Sequence, residues 1–180
     1  MSSLFTRLFT GARLIGLGLA ILVAAIDQFT KWYVTRELGL SSLGAKLDLL
    51  PFFDLTYTRN YGISLGLFEA TSMEMRWILV LLTTGIATVV LIWMMREKRL
   101  GDILGLSLIL GGAIGNIYDR YTIGYVIDFA DLHIGDFRPF LIFNVADAAI
   151  TIGVVVILAR ALFLSEKDAD KAAPTSALEN

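Results

Sequence analysis

Four long apolar runs leave this chain few ways to fold. Trp77 to Met95 gives nineteen residues without a charge, and Ile103 to Tyr118 gives sixteen. Phe140 to Ala159 gives twenty, with Asp147 as the only charge. Leu14 to Ile26 is the fourth run and extends past Asp27 to Trp32 and Tyr33. A helix needs about 20 mainly apolar residues to cross the hydrocarbon core. With 56% hydrophobic residues, a mean hydropathy of +0.71 and 18% charged residues, the chain departs from soluble domains, which carry about 25% charge. The expectation is a mostly α, polytopic membrane protein. Its single membrane domain is expected over 1–165, with spans near 14–33, 76–95, 101–119 and 140–161. Arg7, Arg13 and the small residues of "LVAA" would also suit a cleaved signal peptide at the first run. Continuation into "DQFTKWYV", with its interfacial aromatics, favours a span that stays.

Charge distribution suggests an orientation. Arg96, Lys98 and Arg99 lie between the second and third runs; Arg7 and Arg13 precede the first, and Arg160, Lys167 and Lys171 follow the fourth. The positive-inside rule puts these regions, and so both termini, in the cytoplasm. The loops 35–75 and 120–139 then face the other side. A formal net charge of −2 argues against nucleic-acid partners, and the absence of Cys excludes disulfides, thiol nucleophiles and Cys metal sites. The tail 166–180 is charged and rich in small residues, a composition that suits disorder.

The first outer loop is too long for a bare connection. Within it, "AKLDLLPFFDLTYTRN" alternates and is rich in strand formers, which predicts one or two short strands over 45–60. Thr71 or Ser72 is placed to cap the second span. Gly101 and Gly105, like Gly111 and Gly115, are four apart and would let another helix approach closely.

Ionisable residues in spans are rare and usually mark a functional path or cavity. Here they gather at one end of the runs. Asp27 and Lys31 share a helical face and can pair, either structurally or as part of a site. Asn116, Asp119 and Arg120 close the third run; Asp119 and Arg120 could simply cap that helix and neutralise each other. Asn144 and Asp147 share a face at the start of the fourth. Asp128 stands among apolar neighbours in "YVIDFAD". Asp147 could be neutralised by protonation or by a cation. If instead Asp128 and Asp147 met in a low-dielectric site, one pKa would rise and the pair would share a proton. Such a pair can activate water against an amide while polarising its carbonyl. His133, the sole histidine, lacks companions for a metal site and reads as an ordinary loop residue. Ser64 has no evident base. From residues alone, a small ion or proton-coupled transporter using Asp27, Asp128 and Asp147 as a relay, or a structural scaffold, stays open beside peptide hydrolysis.

Five motifs resemble those of the bacterial lipoprotein signal peptidases (signal peptidase II): "DQFTK" at 27–31, "NYG" at 60–62, "GGAIGNIYDR" at 111–120, "VIDF" at 126–129 and "FNVAD" at 143–147. They occur in the family's order. The resemblance implies four transmembrane helices with a small outward-facing β cradle, in the bacterial cytoplasmic (inner) membrane with the active site towards the periplasm. It implies an aspartic endopeptidase that needs no cofactor and cuts prolipoproteins just before a diacylglyceryl-modified cysteine; a monomer is expected. It places the catalytic pair on Asp128 and Asp147, and the substrate or inhibitor pocket on Asn60, Asn116, Arg120 and Asn144. Asp27, Lys31 and Asp119 would be supporting polar groups. Contact with membrane lipids and sensitivity to globomycin-type peptides are implied too. Two departures stand out: "NYGISLG" carries Ser64 and Leu65 where the family often has Ala-Phe, and "RPFLIFN" displaces Pro139 upstream.

Overall fold

The computed structural model describes residues 11–62 and 72–172, with side chains as far as Phe163. Four helices among them are long and apolar enough to cross a membrane. Helix α1 spans Gly11–Trp32 and runs into a π-helical turn, Tyr33–Glu37. Helices α2, Met73–Arg96, α3, Leu100–Thr122, and α4, Val145–Ala172, complete the bundle. Ser72 is the cap of α2, its hydroxyl accepting from the Met75 amide at 3.3 Å; Thr71 lies outside the described residues, as do Ser64 and Leu65.

The third helix is the hub. Half of its apolar window is buried, against 17% in α2 and α4. Its glycines explain why. A Cβ on Gly111 would stand 2.6 Å from the Ala20 carbonyl oxygen of α1, and one on Gly105 would stand 3.0 Å from Ile157 of α4. Gly112 lies against the Ala146 carbonyl. Close backbone approach, the role expected of small residues between membrane helices, lets α1 and α4 flank α3. Ala20, Ala87, Met94, Ile103, Leu106 and Leu110 fill the space between. Residues such as Ile21, Leu81 and Val89 point outward and are largely exposed, as a lipid-facing surface requires. At the end carrying the α2–α3 turn, Arg13 donates to the Glu97 carbonyl and Arg160 pairs with Asp102 at 2.6 Å.

A three-stranded antiparallel sheet caps the opposite end. Strands β1, Lys46–Leu50, and β2, Phe53–Asn60, form an antiparallel hairpin where one or two short strands are expected over 45–60. The third strand, β3, Val126–Leu132, comes from the second outer loop and pairs with β2, giving the order β1-β2-β3. Sequence reasoning missed it because "VIDFADL" is a short apolar run whose period does not separate strand from helix. Val34, Leu40, Leu55, Tyr57, Phe129 and Ala130 join the sheet to the turn after α1. His133 is more than a loop residue: its Nε2 lies 2.7 Å from Asp54 Oδ2.

The fourth helix starts later than the apolar run does. Pro139 and Phe140 lie in an exposed bend, and Phe143 returns to β3, exchanging backbone hydrogen bonds with Ala130 at 2.8 and 3.1 Å. Helix begins only at Val145 and continues through Ala172, beyond the point where the tail was expected; 173–180 lie outside the described residues.

The glycine contacts make a contrast that can be measured. Gly111→Val must displace backbone and is expected to destabilise the protein by about 1–3 kcal/mol. Gly85→Ala, with nothing within 4 Å of the added carbon, should be neutral or stabilise by up to about 1 kcal/mol through helix propensity. Thermal unfolding in one detergent decides it, and equal effects of the two substitutions would contradict the packing described.

Candidate active site

The late start of α4 accounts for an acid in an apolar run. Asn144 is the N-cap: its Oδ1 accepts from the Asp147 amide at 2.9 Å, while Asp147 Oδ2 accepts from the Asn144 amide at 3.4 Å. This is the reciprocal pattern of a capping box, with Asp in the place of the usual Glu. The carboxylate thus sits in the first helical turn, where unpaired N–H groups and the helix dipole favour negative charge. It does not stand in mid-span.

Asp128 reaches the same place from β3. Its Oδ1 accepts from Asn144 Nδ2 at 2.6 Å and its Oδ2 from Asn60 Nδ2 at 3.1 Å. Asp147 Oδ1 accepts from Asn116 Nδ2 at 2.8 Å, and Asn144 Nδ2 lies 3.2 Å from Asn116 Oδ1. The two acids are therefore linked through shared asparagines. Asn144 touches both, by its side chain to Asp128 and by its backbone to Asp147.

In each asparagine another donor occupies Oδ1, so Nδ2 must face a carboxylate. For Asn60 that donor is the Gly62 amide at 3.1 Å, for Asn144 the Asp147 amide, and for Asn116 Lys31 Nζ at 3.2 Å. Lys31 is itself buried and fully used. Its ammonium also meets Asp27 Oδ2 at 2.7 Å and Asp119 Oδ2 at 2.8 Å. Asp27 Oδ1 accepts from the Ala146 amide at 3.0 Å, and Asp119 Oδ2 accepts from the Ile127 amide at 3.2 Å. One lysine thereby ties α1 to the start of α4 and to the residue before Asp128. Among the described residues the ion pair of Asp119 is with Lys31 rather than with Arg120, the simple alternative raised by the sequence. Gln28, inside "DQFTK" but not singled out, joins the cluster by donating to Asp119 Oδ1 at 2.8 Å and to the Gly115 carbonyl at 3.1 Å. Its position beside Asp27 was the only signal available.

Arg120 is buried, and its Nη2 donates to the Gly62 carbonyl at 2.7 Å. Its Nε has no hydrogen-bond partner among the described residues. A buried donor left unpaired is costly and marks a place where an incoming carbonyl would be welcome.

Burial, followed by the charge of Asp147, pushes the Asp128 carboxyl up to about 7, while the amides of Asn60 and Asn144 and the Lys31 ammonium oppose that rise. Near neutral pH, one acid of the pair is thus poised between its protonated and ionised forms. A proton donor beside a carboxylate, with a polar wall and an unused guanidinium N–H, has the parts for general acid–base attack by water on an amide.

Comparison with known proteins agrees with this chemistry. The family model described as Signal peptidase (SPase) II matches residues 19–163. The chain is 55% identical over 152 residues to a lipoprotein signal peptidase of Sphingopyxis alaskensis, covering 84% of this chain and 87% of that one. It is 49% identical over 154 residues to one of Rhizorhabdus wittichii, covering 86% and 89%. A solved structure described as a bacterial membrane enzyme at 2.3 Å resolution superposes with a TM-score of 0.73 at 26% identity, covering 95% of this chain and 96% of that one. A second, at 1.9 Å, gives 0.69 at 29% identity, covering 86% and 94%. With its four spans, its cap of sheet and its matched length, this chain belongs to the signal peptidase II family.

Proposed function

We propose that the protein is a membrane-embedded aspartic endopeptidase that removes the signal peptide from prolipoproteins, cutting just before the diacylglyceryl-modified cysteine. The observation that carries this reading is the joining of Asp128 and Asp147 through Asn144 and Asn116, in a chain of this family. The relay and scaffold alternatives draw no support from that family or from its relatives.

In the proposed reaction the two acids hold one proton between them. The ionised carboxylate takes a proton from water as its oxygen attacks the scissile carbonyl carbon. The protonated partner gives its proton to the carbonyl oxygen, forming a tetrahedral gem-diol. Collapse breaks the C–N bond, returns a proton to the acid that gave it and delivers the other to the leaving amine. The products are a signal peptide with a new carboxyl terminus and a lipoprotein with a free cysteine amine. Arg120 Nε is the donor suited to a substrate carbonyl. Asn60, Asn116 and Asn144 hold the carboxylates, and any bond they make to substrate shares those amides.

The site lies at the end of the bundle away from Arg96, Lys98 and Arg99. Under the positive-inside rule this supports an inner-membrane enzyme with cytoplasmic termini, working at the periplasmic side. Globomycin-type peptides, as ligands of the same pocket, are expected to block it.

Asp128→Asn and Asp147→Asn are each expected to lower cleavage of a diacylated prolipoprotein at least about a hundredfold, with insertion and thermal stability retained. Wild-type turnover by either variant would remove the dyad. The pH profile follows from Asp128. Ionisation of the protonated acid ends the one-proton state, so kcat/KM should fall as pH rises through about 7. Asn60 donates to the charged form of Asp128; its loss raises that pKa, and Asn60→Ala should carry the alkaline limb to higher pH. A limb that stays put or moves down would contradict the assignment.

A further inference from the structure

On the sheet, beside the last β2–β3 pair, lies a cluster that the proposed chemistry does not use. The Arg59 guanidinium carbon lies 4.9 Å from the centre of the Tyr125 ring, and Arg59 Nε donates to the Tyr57 hydroxyl at 3.2 Å. Tyr57 and Tyr125 bring their hydroxyls to 3.4 Å, and the rings of Tyr61 and Tyr125 stand 5.4 Å apart. Among the described residues Arg59 makes no ion pair. Its charge is held by tyrosines, the Tyr57 hydroxyl first, which keep its pKa above the ordinary arginine value. Arginine over a tyrosine face is an established attractive arrangement.

The cluster's place in the chain gives it a role. Arg59 and Tyr61 flank Asn60, which holds Asp128, and Tyr125 precedes Val126, the register partner of Asn60. Among the described residues the ladder ends at that pair. Nothing in the backbone pairing alone prevents the strand ends from parting, yet the Asn60 amide must stay within 3.1 Å of Asp128. Alternation along a strand sends neighbouring side chains to opposite faces, so Arg59 can grip one side while Asn60 serves the other.

We infer that the Arg59–Tyr125 stack, completed by Tyr57 and Tyr61, is a clamp that closes the β2–β3 end and holds Asn60 on Asp128, making Arg59 and Tyr125 positioning residues for the dyad. This rests on the peptidase reading for its consequence in catalysis, though not for its structural content. Asp128 is faced also by Asp147 from α4, Lys31 from α1 and Arg120 from α3. Loosening the clamp leaves those groups in place and removes the amide alone.

The test is the titration of Asp128, followed by carbon-13 NMR of carboxyl-labelled aspartate in the full-length protein in micelles, with Asp128→Asn identifying the resonance. Arg59→Gln and Tyr125→Leu should each move the midpoint to higher pH, as Asn60→Ala does, and adding Asn60→Ala to either should move it no further. Arg59→Lys and Tyr125→Phe keep a cation and a ring face, and should return the midpoint towards that of the unaltered protein. Cleavage should fall about tenfold in Arg59→Gln, a modest misplacement effect. An unmoved midpoint in Arg59→Gln, or a shift that adds to that of Asn60→Ala, overturns the clamp. Should Arg59→Gln fail to fold, Tyr125→Leu decides the matter by the same two outcomes. The titration needs no substrate, so failure of the unaltered protein to cut prolipoprotein would count against the peptidase reading alone.

Discussion

A lysine ammonium with three acceptors around it, buried among membrane helices, is the contact from which the rest of the site is built. Lys31 meets Asp27, Asp119 and Asn116, and its donors are then exhausted. Burying such a group is expensive, and removing one member of a buried ion pair costs about 3–5 kcal/mol because the other is stranded. The three acceptors lead to different parts of the fold. Asp27 accepts from the amide of Ala146 at the head of α4, Asp119 accepts from the amide beside Asp128, and Asn116 passes its own N–H to Asp147. Two acids distant in sequence are thereby located from one point.

Asparagine suits this arrangement because it separates the two tasks. Its oxygen can be locked by a donor from the scaffold while its nitrogen holds a carboxylate. Asn60, Asn116 and Asn144 all do this. Amides, unlike cations, hold an acid without fixing it in the charged form, so Asp128 can keep a pKa pushed up to about 7 by burial and by Asp147. With a cation in the place of Asn60, the same carboxylate would be held ionised, without the proton that the proposed chemistry asks it to donate.

Much of this was legible in the residues. The four spans followed from run lengths, short strands over 45–60 from alternation, and the pairing of Asp27 with Lys31 from their helical spacing. The candidate acids were visible because aspartate in an apolar run is costly. What was hidden depends on contacts between distant segments. The third strand could not be told from a helix by its pattern, and the fourth helix was placed too early because Phe140 to Phe143 are as apolar as a span. Their extended path comes from Phe143 pairing with Ala130. Asp119 looked like a local cap, since its partner is eighty-eight positions earlier in the chain at Lys31. Spacing within one helix could not reveal it.

The proposed catalysis by Asp128 and Asp147 requires that the two carboxyls feel each other's charge. The most direct measurement is the Asp128 carboxyl titration by carbon-13 NMR, in the unaltered protein and in Asp147→Asn. Loss of the neighbouring negative charge should bring the Asp128 midpoint down from about 7. An identical midpoint in both proteins would mean that the carboxyls are uncoupled, and the shared proton would have to be abandoned.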